Sequence, residues 1–267
     1  MALPLIYFLA PVVWLVFAAT KTSADLAGTF GLWFGADTVL GDNISRTLTF
    51  DDGVFVRWLL NSALYAVGGA VAATALSAMA GYALAKFAFR GRDLVFGVVL
   101  AGVLIPPTAL AVPLFLMLAG AGLTNTVWAV LLPSMISPFG VYLARVYAAA
   151  SVPDELLEAG RVDGASDSRL FWTVSVRLMA PALVTIFLFQ LVAIWNNFLL
   201  PLVMLADDDL YPVTLGLYAL NSQLTRDPTL KSIVVTGSLL SIIPLVVAFL
   251  LLQRFWRSGL AAGSVKA

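Results

Sequence analysis

Residues 233–252 of the chain read IVVTGSLLSIIPLVVAFLLL and contain no charged side chain. A helix needs about 20 apolar residues to cross the hydrocarbon core of a bilayer. Lipid offers the backbone no hydrogen-bond partner, so apolar runs of this length are expected to be helical. Further apolar stretches of similar length are Leu3–Ala19, Trp58–Ala85, Leu94–Ala119, Thr126–Ala148 and Leu178–Leu205. The sequence therefore predicts an all-α integral membrane protein of about six transmembrane helices, forming a single domain over residues 1–267.

The composition of the whole chain favours a membrane protein and excludes several kinds of chemistry. Of the 267 residues, 61% are hydrophobic and 11% are charged, whereas an ordinary soluble domain is roughly 45–50% apolar and about 25% charged. The formal net charge is zero, which gives no indication of a nucleic-acid partner. The chain has no cysteine and no histidine, so it lacks thiolates and the commonest metal ligand and general base. These absences argue against a membrane metalloprotease or a haem protein, so we expect no metal, while carboxylate-based catalysis stays open.

Basic residues predict the orientation, because cytoplasmic loops carry an excess of lysine and arginine. With the N-terminus in the cytoplasm, ten basic residues lie inside and five lie outside. We therefore expect a multi-pass protein of the cytoplasmic (inner) membrane with both termini in the cytoplasm. No basic segment precedes Leu3–Ala19, so we interpret this stretch as a retained span and not as a cleaved signal peptide.

The spans indicate how transport would be driven. None has an ionisable residue near its middle, whereas ion-coupled carriers usually mark their pathway with such residues. Sodium binding through backbone carbonyls remains an alternative. The phosphate-binding pattern G-x-x-x-x-G-K-[ST] is also absent. A partner would therefore have to hydrolyse any ATP, and it would have to contact the largest cytoplasmic feature, the loop between spans four and five.

This loop, residues 151–171, reads SVPDELLEAGRVDGASDSRLF and predicts two short helices with a hinge. Ser151 and Ser166 are predicted to cap them, while Gly160 and Gly164 weaken helix continuity. The loop's apolar side chains are expected to fill a partner's groove: Leu156, Leu157, Leu170 and Phe171. The alternative is a helix on lipid headgroups. Such helices tend to be rich in lysine and arginine, and the acidic character of this loop favours docking to a protein.

Glu158-Ala159-Gly160 followed by Asp163-Gly164-Ala165 resembles the EAA loop of permease subunits in binding-protein-dependent ABC importers. The resemblance implies that these six residues couple the chain to an ATPase. Glu158 would make polar contacts with the ATPase, and Gly164 would allow the tight turn between the coupling helices. Two positions depart from the usual pattern. Gly160 replaces an alanine, and Arg177 replaces a proline, so Pro181 is expected to break the chain before span five.

The Trp195-Asn196-Asn197-Phe198 stretch is similar to the carbohydrate branch of that family, and the chain looks most like the second permease of maltose-type importers. The resemblance implies import of a sugar, an oligosaccharide or glycoside-like solute, with Trp195, Asn196 and Asn197 along its path. From the residues alone, helix–helix hydrogen bonding remains an alternative for the two amides, and interfacial packing remains an alternative for the tryptophan. Gln190 lies about one and a half turns earlier, so it need not share their face, and we expect it to hold helices together instead of contacting the solute.

The resemblance also implies that the chain is not itself an enzyme, has no catalytic residue and binds no cofactor directly. It implies the partners as well. They are a second permease forming a heterodimer, two ATP-binding subunits that hydrolyse ATP, an extracytoplasmic solute-binding protein, and membrane lipid. The alternatives are an ion-coupled secondary transporter, an ABC importer for glycerol-phosphate or a polyol, and a membrane-embedded enzyme.

Overall fold

A computed structural model describes the backbone of residues 2–262 and the side chains of residues 7–253. Over these residues the chain is helical and has no β-strand, which confirms the all-α prediction. The C-terminus, predicted to lie in the cytoplasm, falls outside them. The helices are α1 (Ala2–Ala19), α2 (Asp25–Gly28), α3 (Leu40–Thr49), α4 (Val54–Lys86), α5 (Arg92–Leu104), α6 (Pro107–Gly120), α7 (Val127–Ser134), α8 (Pro138–Ser151), α9 (Asp154–Val162), α10 (Asp167–Leu170), α11 (Val176–Leu178), α12 (Ala180–Trp195), α13 (Leu199–Met204), α14 (Val213–Ser222) and α15 (Leu230–Ala262).

Several of these helices are suited to a bilayer by length and composition. Three continuous stretches qualify, Leu40–Lys86, Val127–Ser151 and Leu230–Gln253. The number rises to five if each of two bent helix pairs counts as one span. Helix α1 is also apolar, but the part of it with described side chains is shorter, Tyr7–Ala19. Five of the six apolar stretches of the sequence coincide with one of these elements, whereas Leu178–Leu205 runs beyond Trp195 into α13. Their crossing of the bilayer as six spans stays a prediction.

Proline explains the first bent pair. Helices α5 and α6 meet at 106°, and Ile105 between them has an extended backbone with φ −77° and ψ 121°. A residue before proline is pushed out of the helical region, and Pro106 cannot donate a backbone hydrogen bond. The third apolar stretch is therefore two helices with an elbow.

The second bent pair lies before α12. A π-helical turn at Phe171–Ser175 leads into α11, and the chain then bends by 78° between Leu178 and Ala180. Pro181 follows in the first turn of α12, where its ring and missing N–H prevent the helix from continuing backwards. The break expected from Pro181 is thus present, about two residues before the proline.

The chain forms two compact units, and the first comprises residues up to Ser62 together with Leu205–Ala248. Within it, Ala18 and Ala19 of α1 pack with Val235 of α15. Helix α14 approaches α4 closely, since a Cβ added at Gly216 would overlap the Trp58 ring. The Trp58 indole Nε1 donates a hydrogen bond to the Asp208 carbonyl over 2.9 Å.

The second unit comprises Ala63–Met204 and the chain from Phe249 onward. Helix α8 packs against α5 and α12, and α13 packs against α6 and α7. Helices α4 and α8 are in near backbone contact, because a Cβ at Gly81 would lie 2.5 Å from the Ala144 Cβ and 2.6 Å from the Arg145 nitrogen. Small residues allow such close approach between helices in membranes.

We predict that Gly81→Ala destabilises the protein while Gly97→Ala does not. The added methyl group at Gly81 has no room, and overpacking typically costs about 1–3 kcal/mol. A Cβ at Gly97 in α5 meets nothing within 4 Å, so alanine there improves helix propensity by about 1 kcal/mol. Thermal unfolding of both purified variants in one detergent measures the difference. Equal midpoints for the two variants would contradict the close α4–α8 contact.

Candidate functional site

The loop between α8 and α12 begins with a sharp change of direction. Helix α8 continues through Ser151, and α9 starts at Asp154 after Pro153, whose φ is −65° and ψ 138°. Ser151 is therefore the last residue of α8, and the prediction that it caps the next helix was wrong. The extended conformation imposed before and at a proline separates the two helices. Asp154 and Glu155 occupy the first turn of α9, where negative charge is favourable to the helix dipole.

A glycine closes the other end of α9. Gly164 has φ +82°, its N–H donates to the Arg161 carbonyl over 3.0 Å, and the Ala165 N–H donates to the Gly160 carbonyl over 2.9 Å. These two bonds form the Schellman motif, which requires a left-handed residue at this position. The Ser166 hydroxyl then accepts a bond from the Arg169 N–H over 3.3 Å and caps α10, as predicted.

One face of the loop is anchored to the chain itself. Leu157, Leu170 and Phe171 are buried in a cluster with Tyr82 of α4 and Met179. These three side chains were expected to fill a partner's groove, and that expectation was wrong. Helical periodicity turns Leu157 toward α4 and α8, while its neighbour Leu156 stays on the outside. A Cβ at Gly160 would collide with the Leu170 side chain, so glycine here lets α9 close against α10.

The other face is exposed. Glu158, Ala159, Asp163 and Gly164 lie in solvent, and Gly160 and Ala165 are partly buried. Val162 is 88% exposed, the largest fraction among the exposed large hydrophobic side chains, and sequence reasoning missed it. An apolar residue one turn after the exposed Glu158 is the signal that could have identified it. The face therefore combines negative charge with an apolar patch.

Ion pairs fix both ends of α9. The Lys86 Nζ lies 2.8 Å from Asp154 Oδ1, and the Arg161 Nε lies 2.9 Å from Asp167 Oδ1. The hydrogen bond to the Asp167 carboxylate raises the pKa of the Arg161 guanidinium. Arg161 is therefore charged at every physiological pH, and it links α9 to α10 across the Gly164 turn.

A cavity of about 400 Å³ lies at the ends of α5, α6, α12 and α13 in the second unit. Its wall is mainly apolar and contains no charged and no aromatic side chain. Its polar members are a hydroxyl and two amides. The lining residues are Gly102, Ile105, Pro107, Leu110, Ala111, Leu114, Pro133, Ser134, Ile136, Pro138, Gln190, Ala193, Ile194, Asn197, Leu199 and Leu200.

Of the three residues predicted along a substrate path, Asn197 lines this cavity. Helix α12 ends at Trp195, which is buried. The Asn196 amide nitrogen donates to the Val192 carbonyl over 2.8 Å, and neither Trp195 nor Asn196 belongs to the cavity wall. Gln190, which was not expected to share a face with the two asparagines, lines the same cavity as Asn197. Because α12 ends at Trp195, the chain leaves the helix before Asn197, and helical spacing does not determine which face its side chain takes.

Comparisons with known proteins agree with this architecture. Residues 73–260 match the sequence family described as "Binding-protein-dependent transport system inner membrane component". The chain is 35% identical to the arabinooligosaccharides transport system permease protein of Halalkalibacterium halodurans, over 96% of this chain and 90% of the relative. It is 32% identical to the lactose transport system permease protein of Rhizobium radiobacter, over 96% of this chain and 90% of the relative.

Among solved structures, the fold is similar to a chain of a bacterial ABC transporter involved in the import of the acidic polysaccharide alginate. The TM-score is 0.83 at 22% sequence identity, over 96% of this chain and 93% of that chain. At this identity the likeness concerns the fold alone.

We predict that the Gly164 turn tolerates asparagine better than alanine. A left-handed conformation costs an alanine roughly 1–2 kcal/mol, whereas asparagine adopts it more readily. A Cβ at Gly164 meets nothing within 4 Å, so the backbone conformation alone decides the result. Gly164→Ala is expected to speed amide hydrogen exchange in α9 by roughly 5–30-fold, and Gly164→Asn by clearly less. Equal acceleration in both variants would argue against the left-handed turn.

Proposed function

The chain belongs to the family of inner membrane components of binding-protein-dependent transport systems, and from this premise we propose that it is one permease subunit of an ATP-driven sugar importer. A second permease would complete the translocation path as a heterodimer. Two ATP-binding subunits would hydrolyse ATP, and an extracytoplasmic binding protein would deliver the solute. The permease itself would perform no covalent chemistry and bind no cofactor. Residues 1–267 would act as a single transmembrane domain.

The proposal depends above all on the loop 151–171. Its inner face is fixed by Leu157, Leu170 and Phe171, and its outer face presents Glu158 and Val162. A segment that is anchored on one side and exposes both charge and apolar area on the other is suited to docking against a protein. We propose that Glu158, Ala159, Gly160, Asp163, Gly164 and Ala165 form the contact with the ATPase subunit.

The proposed topology follows from the same assignment. Six spans, with the bent pair α5–α6 forming one span and α12 belonging to span five, place this loop in the cytoplasm between spans four and five. Both termini then lie in the cytoplasm. The excess of basic residues on that side supports this orientation.

The composition of the cavity wall favours an uncharged solute. A phosphorylated solute would favour lysine or arginine along its path, and the wall contains neither. Amide groups of Gln190 and Asn197 suit the hydroxyl groups of a sugar, since an amide offers both donors and an acceptor. We propose Asn197 and Gln190 as path residues of this subunit, with Trp195 and Asn196 holding the end of α12 next to them. The relatives named for arabinooligosaccharides and lactose favour an oligosaccharide.

We predict that Gly164→Trp abolishes co-purification of the ATPase subunits. The tagged chain is extracted from its native membrane in mild detergent, and every co-purifying chain is identified by mass spectrometry. Wild type is expected to retain an ATPase and a second permease, whereas the bulky indole in the turn blocks docking of the loop.

Gly122→Trp is the matched control. Gly122 also has a left-handed φ, +70°, and a Cβ there also meets nothing within 4 Å. It lies in the turn after α6, on the side proposed to face outward, so Gly122→Trp is expected to keep the ATPase. The proposal fails if wild type purifies without any ATPase, or if both tryptophan variants lose it equally.

We predict that Gln190→Leu weakens sugar uptake without impairing assembly. Loss of one hydrogen bond typically costs about 0.5–1.5 kcal/mol, so the KM for transport rises roughly 2–10-fold. The measurement is uptake of radiolabelled lactose and arabinotriose by cells producing the complete importer. Gln253→Leu is the control, since Gln253 lies in α15 and its side-chain amide donates to the Leu250 carbonyl of the same helix over 3.2 Å. An unchanged KM for every transported sugar would remove Gln190 from the path.

A further inference from the structure

We propose that the Lys86–Asp154 ion pair locks α9 to the end of α4, so that these two elements move as one body when the ATPase subunits pull on the loop. The segment between the loop and α12 would then absorb the bending. This inference rests on the proposed function, because it specifies how force on the loop 151–171 enters the membrane domain.

The environment of Lys86 makes the pair unusual. Lys86 is the last residue of α4, and its side chain is 6% exposed while that of Asp154 is 73% exposed. The Nζ lies 2.8 Å from Asp154 Oδ1. A cation withdrawn from water requires a charged partner close by. Asp154 fills that role and stands at the first residue of α9.

The other ion pairs of the same unit differ in this respect. The side chains of Arg161 and Asp167 are 43% and 50% exposed, and those of Arg92 and Asp93 are 35% and 84% exposed over a longer distance of 3.6 Å. Pairs in which both side chains are solvated contribute little to stability. In the Lys86–Asp154 pair the lysine is almost fully buried, so breaking the pair would leave a buried cation without its partner, which is not so for these arginines.

The same end of α4 also contacts the far end of the loop. Tyr82 precedes Lys86 by one turn, and its ring centroid lies 5.0 Å from that of Phe171. Leu157 belongs to the same buried cluster. The last turn of α4 thus binds the first helix of the loop through Asp154, contacts the end of the loop through Phe171, and shares a buried cluster with Leu157.

The exit from the loop toward α12 is built differently. It passes through the π-helical turn Phe171–Ser175 and a bend of 78° before Ala180. Such interruptions are where helices flex or hinge. Displacement of the loop would therefore reach α4 through a tight contact and α12 through a broken helix. Rigid bodies joined by short hinges are a common basis for switching between states.

Spin-label distance measurements on the purified complex test this inference. The chain has no cysteine, so spin labels attach to it only at pairs of introduced cysteines. The signal of the complex without introduced cysteines, treated with the same label, is subtracted. One pair joins Ser168 in the loop to Ala88 just after α4, and a second joins Ser168 to Val192 in α12. All three positions are exposed. Distances are compared without nucleotide and with ATP plus vanadate.

We expect the Ser168–Ala88 distance to be the same in both nucleotide states, while the Ser168–Val192 distance shifts. In Lys86→Met the Ser168–Ala88 distribution should broaden and become dependent on nucleotide, whereas Lys86→Arg should retain the narrow distribution. Arg92→Met is the control for loss of one cation from a solvated pair, and it should leave both distributions unchanged.

The inference is overturned if the Ser168–Ala88 distance changes with nucleotide as much as the Ser168–Val192 distance, or if Lys86→Met leaves it unaltered. The first comparison needs no change at Lys86, so it decides the matter even where Lys86→Met does not assemble. Co-purification of the ATPase is checked beforehand. Its absence would contradict the proposed function, whereas an intact complex with a moving Ser168–Ala88 pair would contradict the lock alone.

Discussion

The bilayer imposes the constraint from which the rest of this structure follows. Lipid cannot hydrogen-bond a peptide group, so the apolar stretches of the chain must satisfy their own backbone as helices. Any interruption then needs a specific cause and a local compensation. Proline at Pro106 and Pro181 supplies the cause at two interruptions, and the Asn196 and Asn197 side chains bond to backbone groups at a third.

These interruptions coincide with the features proposed for function. The elbow between α5 and α6 contributes Ile105 and Pro107 to the cavity, and the end of α12 contributes Asn197. The bend before α12 lies directly after the loop proposed to receive the ATPase. Residues at these breaks therefore form part of the cavity wall, and the bend before α12 is the hinge that we propose. The proposed binding and switching elements both belong to the second unit.

The sequence predicted the helical membrane class and the turn at Gly164 because both depend on local rules. Apolar length determines the first, and the left-handed conformation at the end of α9 determines the second. It also located the break near Pro181. It failed for Ser151, because a proline two residues later decided where α9 begins. It misassigned Leu157, Leu170 and Phe171, because their burial depends on α4, which lies far away in sequence. The shared cavity wall of Gln190 and Asn197 was not expected, and Val162 was missed, for the same reason, since a cavity wall and an exposed patch are properties of the packed helices.

The central claim is that the exposed face of α9 contacts an ATP-binding subunit. The most direct test places a photo-crosslinking amino acid at Val162, which is 88% exposed, and in a parallel sample at Phe30, which is 73% exposed and precedes α3 on the side proposed to face outward. The account predicts that illumination of the native membrane links Val162 to an ATP-binding subunit and does not link Phe30 to it. A Val162 sample that forms adducts with lipid alone, or ATPase adducts of equal yield from both positions, would contradict it.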